Sequence, residues 1–307
     1  MKREQIIGNV TLSFEEVSAE VQKESAIGAE LLAIAKEHRI ETVLAEDSRW
    51  PILYHFSPIR RNLLSWYPFS RGSRLLEIGS GCGALTGVFL DAGLAVHCIE
   101  PDGQQAETAA HRYADGRPFC ISVGGLGQAA LHGPYDFVTL IGSLAEASRF
   151  VPAEEHPVEA LLADACSLLG PQGILILAEE NRLGLRYFAG APERSTGRLY
   201  EGITGYPTAD HPATFSRSEL ADLLHGAGFS QLEWFYPHPG FCLPEQVFSD
   251  AFLPQKENLF AGLISYDQDR ALCFDERAVL QSLAGREEYR YLANAFLVFC
   301  RKGGGRM

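Results

Sequence analysis

Between residues 75 and 178 the chain carries five short apolar runs, at 75–78, 94–99, 119–123, 136–141 and 174–178. Each is too short for a helix and is bounded by Gly, Pro or acidic residues, so each predicts a buried strand. The stretches between them include 84–90, 104–113 and 157–169, which read as helices. Strands and helices alternating at this rhythm predict an α/β fold, a doubly wound parallel sheet with helices on both faces.

Upstream the pattern changes. Residues 13–38 predict one or two helices, with Ser18 and Ser25 as caps and Ile27, Leu31, Leu32, Ile34 and Ala35 as an apolar stripe. Residues 49–61 are dense in aromatics and hold two prolines, His55 and the adjacent Arg60 and Arg61; Trp66, Tyr67 and Phe69 follow. This segment either clamps the N-terminal helices to the sheet or folds over a bound ligand. Near the other end, Ser216-Arg-Ser-Glu219 opens a helix over 216–227. The chain thus divides into a helical, aromatic extension (1–70), an α/β domain (71–301) with insertions at about 181–215 and 238–290, and a tail (302–307) whose glycines fray.

Charge and composition narrow the function. A chain of 307 residues can hold one large α/β domain with additions. Its net charge of −13 argues against a general nucleic-acid or anionic-membrane binder, which needs clustered Lys and Arg. The cysteines (Cys82, Cys98, Cys120, Cys166, Cys242, Cys273, Cys300) are scattered without a Cys-x-x-Cys pair. They read as reduced thiols of a cytoplasmic protein, not disulfides or a zinc site, and no cluster has metal-ligand spacing. The first residues lead into no long apolar core, so no signal peptide is expected, and no apolar run approaches the roughly 20 residues of a membrane span.

The chemistry concentrates where the first of these strands meets Gly79-Ser-Gly81-Cys-Gly83. Glycines let the loop take backbone angles closed to other residues and let a ligand lie against main chain. The helix start behind it offers free N–H groups. The spacing Gly79-x-Gly81-x-Gly83 fits S-adenosylmethionine, while Gly79-x-Gly81-x-x-Ala84 also satisfies the relaxed dinucleotide fingerprint. Glu77 favours the sulfonium cofactor: it can meet the methionine ammonium, whereas beside a pyrophosphate it would repel. Glu100, at the tip of the next strand, can accept both ribose hydroxyls of an adenosine in either cofactor. Ile78, Ser80 and Pro101 flank these two tips. Main chain at Gly125 and the side chain of Leu126 can line an adenine, and Gly142 ends the fourth strand at the same crevice.

Four blocks together resemble the class I S-adenosylmethionine-dependent methyltransferases. Leu75-Leu-Glu-Ile-Gly-Ser-Gly-Cys-Gly83 resembles the family's first motif and Glu100 its ribose-binding acid. Asp136-Phe-Val-Thr-Leu-Ile141 resembles its fourth-strand motif, and Leu168-Leu-Gly-Pro-Gln-Gly-Ile-Leu-Ile-Leu177 its helix–turn–strand. The resemblance implies a Rossmann-like sheet of seven strands, with 230–236 and 293–301 as closing antiparallel strands and the 238–290 insertion before the last. It also departs from the pattern: Gly124-Gly-Leu-Gly127 stands where an adenine-contacting acid is common. The segments 49–61 and 181–193 are similar to uncharacterised bacterial methyltransferases found near surface-polysaccharide genes, which would imply a sugar or glycan-intermediate acceptor.

The sequence leaves the acceptor site open. Residues 181–212 hold Arg182, Arg186, Arg194 and Arg198, which either bind a phosphate or carboxylate or pair with acids on the surface. The 238–290 stretch is a substrate cover or a homo-oligomer contact. Methyl transfer demands alignment and exclusion of water, with a base only for a hydroxyl or protonated amine; His55, Glu180 and His211 are the candidate bases. An NAD-dependent oxidoreductase and a non-catalytic module of the same fold remain the alternatives.

Overall fold

The computed structural model describes residues 3–14, 25–129, 131–152, 154–208, 214–259 and 270–303. In chain order the strands are β1 (Arg3–Ile7), β2 (Val10–Phe14), β3 (Arg74–Ile78), β4 (Ala95–Glu100), β5 (Phe119–Val123), β6 (Tyr135–Ile141), β7 (Leu169–Glu180), β8 (Phe229–His238), β9 (Gln246–Ser249) and β10 (Ala295–Lys302). They form one sheet in the order β1-β2-β5-β4-β3-β6-β7-β10-β8-β9. The run β5-β4-β3-β6-β7 is parallel, and β10, β8 and β9 close one side antiparallel. From β3 the chain winds outward to β4 and β5, then returns to β6 and β7. The order therefore reverses between β3 and β6, and a crevice opens outside their carboxyl ends.

The sheet has ten strands, not the seven expected. β9 adds one within the 238–290 insertion. The other two correct the helical reading of the extension: β1 and β2 form a hairpin, and β2 lies parallel to β5. Val10 and Leu12 are fully buried while Thr11 and Ser13 are partly exposed, a period of two that marks a half-buried strand. Residues 13 and 14 thus belong to β2 rather than to a helix. The helix Ala26–Lys36 does start at Ser25, whose hydroxyl accepts the Gly28 N–H at 2.9 Å. Ser18 lies outside the described residues. The expected turn at 170–173 is absorbed into β7, where the register slips between Tyr135 and Phe137.

Two apolar clusters cover the sheet faces, one containing Leu76, Ile78 and Val138, the other Leu75, Cys98 and Ile121. Tyr67 and Phe69 pack on the second face, with Tyr67 stacked on Phe299 at 4.7 Å and Phe69 against Phe137 at 5.2 Å. A third, smaller cluster joins Leu31, Ile34, Ile52 and Phe56 of the extension to Cys82 in the glycine loop. Each of these large side chains contributes about 1.5–3 kcal/mol on burial, so the helix Trp50–Phe56 is anchored on the loop itself. Arg112 adds a polar tie: its guanidinium donates to the carbonyls of His55 (3.0 Å) and Cys82 (3.3 Å).

Of the arginines of the 181–215 insertion, Arg182 and Arg194 pair with acids while Arg198 stays exposed. Arg182 forks onto Glu219 at 2.6 and 2.7 Å, Arg194 meets Glu180 at 3.0 Å, and Arg198 bonds the Thr208 hydroxyl. Glu219 completes a capping box with Ser216 on the helix Arg217–Gly226. No helix among the described residues is long and apolar enough to cross a membrane.

Candidate functional site

At the carboxyl ends of β3, β4 and β6 lies a cavity of about 230 Å³. Its floor is Gly79, Ser80, Gly81, Cys82 and Ala84; Glu100 and Gln105 form one wall, Ile141, Gly142, Ser143, Glu146, Arg149 and Phe150 another, and Tyr54, His55 and Arg60 the third. A small chamber of about 20 Å³ adjoins it, sharing Arg60, Gly79, Ser80, Ala84 and Ile141 and bounded by Glu77, Ile78, Leu85 and Thr139.

The loop fits this place for backbone reasons. Gly79 and Gly81 sit at φ of 81° and 56°, which a side chain would strain. A Cβ at Gly79 would also come within 2.7 Å of the Ser143 hydroxyl, which itself donates to the Ile78 carbonyl at 2.9 Å. The loop is pinned from the neighbouring strand: the Glu100 carboxylate accepts the N–H groups of Gly81 (2.7 Å) and Asp102 (2.9 Å).

Both strand-tip acids are buried. Burial pushes the Glu77 carboxyl up to about 7, against the pull of the Thr86 hydroxyl (2.6 Å), the Cys98 thiol (3.5 Å) and the Arg60 charge. Burial likewise pushes Glu100 up to about 7, opposed by the N–H groups of Asp102 and Gly81. A buried carboxylate that titrates near neutrality and makes no contact ion pair among the described residues is ready for a cationic or hydroxyl-rich ligand. Glu77 faces the small chamber and Glu100 the large one, on either side of the same glycine loop.

The other sequence candidates fall differently. Ile78, Ser80, Gly83 and Gly142 lie at or beside the loop, with Gly83 under the Tyr113 hydroxyl (2.8 Å) and the others on the chamber walls. Pro101, Gly125 and Leu126 are buried outside that lining, and Leu126 packs in the core cluster with Ile78 and Ile99. Of the three candidate bases, His55 lines the cavity. Burial, with Arg60 and Arg112 nearby, pushes its imidazole down to about 4, so it is neutral and weakly basic at pH 7. Glu180 lies away from the cavity, bonded by the Tyr187 hydroxyl and Arg194, with Arg186 at 4.0 Å. His211 lies outside the described residues.

Sequence reasoning passed over several residues of the wall. Tyr54 and Arg60 sit in the aromatic segment already suspected of covering a ligand, but nothing in the pattern singled them out. Ser143, Glu146, Arg149 and Phe150 follow β6, and only Gly142 gave a signal there. Glu179, one residue before the candidate Glu180, accepts the Leu144 N–H at 2.8 Å and so holds that following turn; burial pushes it up to about 8.

A family model described as a methyltransferase domain matches residues 53–233, more than half of the chain. Among curated proteins none matches. Among solved structures, a chain from the complex of the Haloferax volcanii Trm112 methyltransferase activator with a methyltransferase superposes with a TM-score of 0.50 at 13% identity, covering 92% of this chain and 100% of that one. A SAM-dependent methyltransferase of Thermotoga maritima aligns with a TM-score of 0.45 at 19% identity, over 87% and 100% of the two chains. Phosphoethanolamine N-methyltransferase 2 of Haemonchus contortus, in complex with S-adenosyl-L-methionine, aligns with a TM-score of 0.46 at 15% identity, over 80% of this chain and 52% of that one.

Proposed function

The chain belongs to the methyltransferase-domain family, and we propose that it transfers a methyl group from S-adenosylmethionine to a small-molecule acceptor, with the cofactor lying along the 79–83 loop. The observation that carries this reading is the pair of buried acids at adjacent strand tips, Glu77 and Glu100, on either side of a glycine bend. When bound, S-adenosylmethionine supplies an electrophilic methyl group on a cationic sulfur. The residues of this chain do the rest. Glu77 meets the ammonium of the methionine end, and Glu100 accepts the ribose hydroxyls while still holding Gly81. Arg149 and Phe150 close the wall opposite the extension, and Tyr54 and His55 shield the loop from water.

The cavity of about 230 Å³ is below the roughly 300–1,000 Å³ usual for a small-molecule site. An adenosyl ligand would therefore need more room than the ligand-free cavity offers. Transfer itself is an alignment problem, worth several kcal/mol when nucleophile and methyl are held in line. His55, neutral at the rim, is the group of this chain placed to take a proton from an acceptor hydroxyl, though its low basicity makes it a weak base. Sugar nucleotides and glycan intermediates are the acceptor class to try first, on the strength of the similarity of 49–61 and 181–193 set out above. The test is mass spectrometry of any adenosyl ligand that co-purifies, followed by an acceptor screen with labelled S-adenosylmethionine. Label transferred to a sugar nucleotide supports the whole reading. Cofactor binding with label on other small molecules corrects the acceptor alone, and no binding of S-adenosylhomocysteine overturns the proposal.

A further inference from the structure

Arg60 comes from the short helical segment Pro58–Leu63, ahead of the core sheet, yet its side chain lines both the cavity and the small chamber beside it. It is 6% exposed, and among the described residues no acid pairs with it. Its Nη1 donates to the Tyr54 carbonyl at 2.9 Å and its guanidinium stacks on the Tyr54 ring at 4.1 Å. Its Nε–H is buried and has no partner. Two hydroxyls beside it, Ser80 and Thr139, are also buried without partners. All three groups line the small chamber, together with Glu77, and Arg60 and Ser80 line the large one as well.

A buried guanidinium without a contact ion pair is expensive, because burial removes its water and the Tyr54 ring and the charge of Glu77 offset only part of the loss. The Nη1 side is taken by Tyr54 and stacked in place, so the guanidinium cannot swing out to solvent without breaking both contacts. The edge left over is the one carrying Nε, the edge that forks onto planar anions such as carboxylates. Glu77 lies on the same chamber with the opposite charge and without an ion pair to Arg60. The small chamber thus presents one cation and one anion that make no contact ion pair with each other.

We propose that Arg60 is a specificity-determining residue that binds the carboxylate of the cofactor's amino-acid end while Glu77 binds its ammonium, so that the site reads a zwitterion. This rests on the S-adenosylmethionine reading above. The segment ahead of the sheet then takes part in cofactor selection in addition to covering the cavity, and the Tyr54 ring and carbonyl are what aim it.

The test compares S-adenosylmethionine with decarboxylated S-adenosylmethionine, which keeps the ammonium and loses the carboxylate, by calorimetry on the wild type, Arg60→Gln and Arg60→Lys. The expected wild-type preference for the carboxylated ligand is tenfold or more. Arg60→Gln should lose most of that preference while binding the decarboxylated ligand as the wild type does, and Arg60→Lys should recover part of it. Equal loss for both ligands in Arg60→Gln would mean that Arg60 only supports the fold, and would overturn the proposal. An unchanged preference in Arg60→Gln, or a changed acceptor KM with an unchanged ligand preference, would overturn it too, the latter moving the anion to the acceptor. A wild type that binds neither ligand would remove the cofactor reading beneath it.

Discussion

Raising the pH should tighten cofactor binding. In the ligand-free protein, burial holds the Glu77 carboxyl at about 7, and only its ionised form can pair with an ammonium. At about pH 6 roughly one molecule in eleven carries the carboxylate, and at about pH 8 roughly ten in eleven. If that form alone binds, affinity for S-adenosylhomocysteine rises about tenfold across the interval, about 1.4 kcal/mol. Glu100, also at about 7, sets the upper bound: if both acids must ionise, the gain approaches a hundredfold. Calorimetry at a series of pH values measures the slope, and repeating it near pH 6 in two buffers of different ionisation enthalpy counts the protons released, between one and two. Glu77→Gln should bind more weakly and with a flatter profile. A wild-type affinity that is level between pH 6 and 8, or that falls, refutes the reasoning, because it would mean that no buried acid meets a cation here.

Four further outcomes follow from the same geometry. Gly81→Val should abolish cofactor binding in a thermal-shift assay, since a β-branched residue is strained at φ of 56° and its side chain would fill the floor of the cavity. Glu100→Ala should weaken S-adenosylhomocysteine binding by about 1–3 kcal/mol, the range for a lost charged hydrogen bond; titration calorimetry reads it, and an unchanged Kd would remove Glu100 from the ribose. Ligand-free stability should move the other way with pH. Glu77, Glu100 and Glu179 are raised above their ordinary 4.5 in the fold, so their stabilisation is complete below about 4.5 and is lost as pH rises through about 7–8. The melting temperature without ligand should therefore fall from about pH 6 to 8, and less steeply in Glu179→Gln. Glu180→Gln should lower the unfolding free energy by about 1–3 kcal/mol, because it removes the carboxylate shared by Arg194 and the Tyr187 hydroxyl. Full stability with lost methyl transfer in that variant would instead make Glu180 a base.

How much of this the sequence could reveal depended on whether a residue's neighbours in space were also its neighbours in sequence. The loop at 79–83 and the acids before and after it are local features, and period and spacing found them. The hairpin β1–β2 was also local, but Val10-Thr-Leu-Ser-Phe14 is only five residues long and its last two residues fall in the segment 13–38, whose pattern reads as helical. Arg60 stood out only as one of two adjacent arginines and Arg112 gave no signal, because their meaning depends on which distant segments they reach. The capping box at Ser216 and Glu219 was legible as a helix start, yet the same Glu219 carboxylate also holds Arg182, a contact across 37 positions that no local pattern encodes.

The adjacent acids at the end of β7 show where such reading stops. Side chains alternate faces along a strand, so Glu179 and Glu180 must serve different surroundings whatever the chemistry. Glu179 turns to the Leu144 N–H and holds the turn that walls the cavity, while Glu180 turns to Tyr187 and Arg194. Composition and spacing give the two carboxylates equal claims, and only the register of β7 against β6, Ile141 beside Ala178, separates them. That register is fixed by Leu175, Leu177 and Phe296 in one core and Ile174, Ile176 and Phe299 in the other. Slipping it by one residue would exchange the two acids and every one of those apolar contacts together. The place of Glu179 behind the turn that walls the cavity is therefore as firm as the packing of the sheet itself.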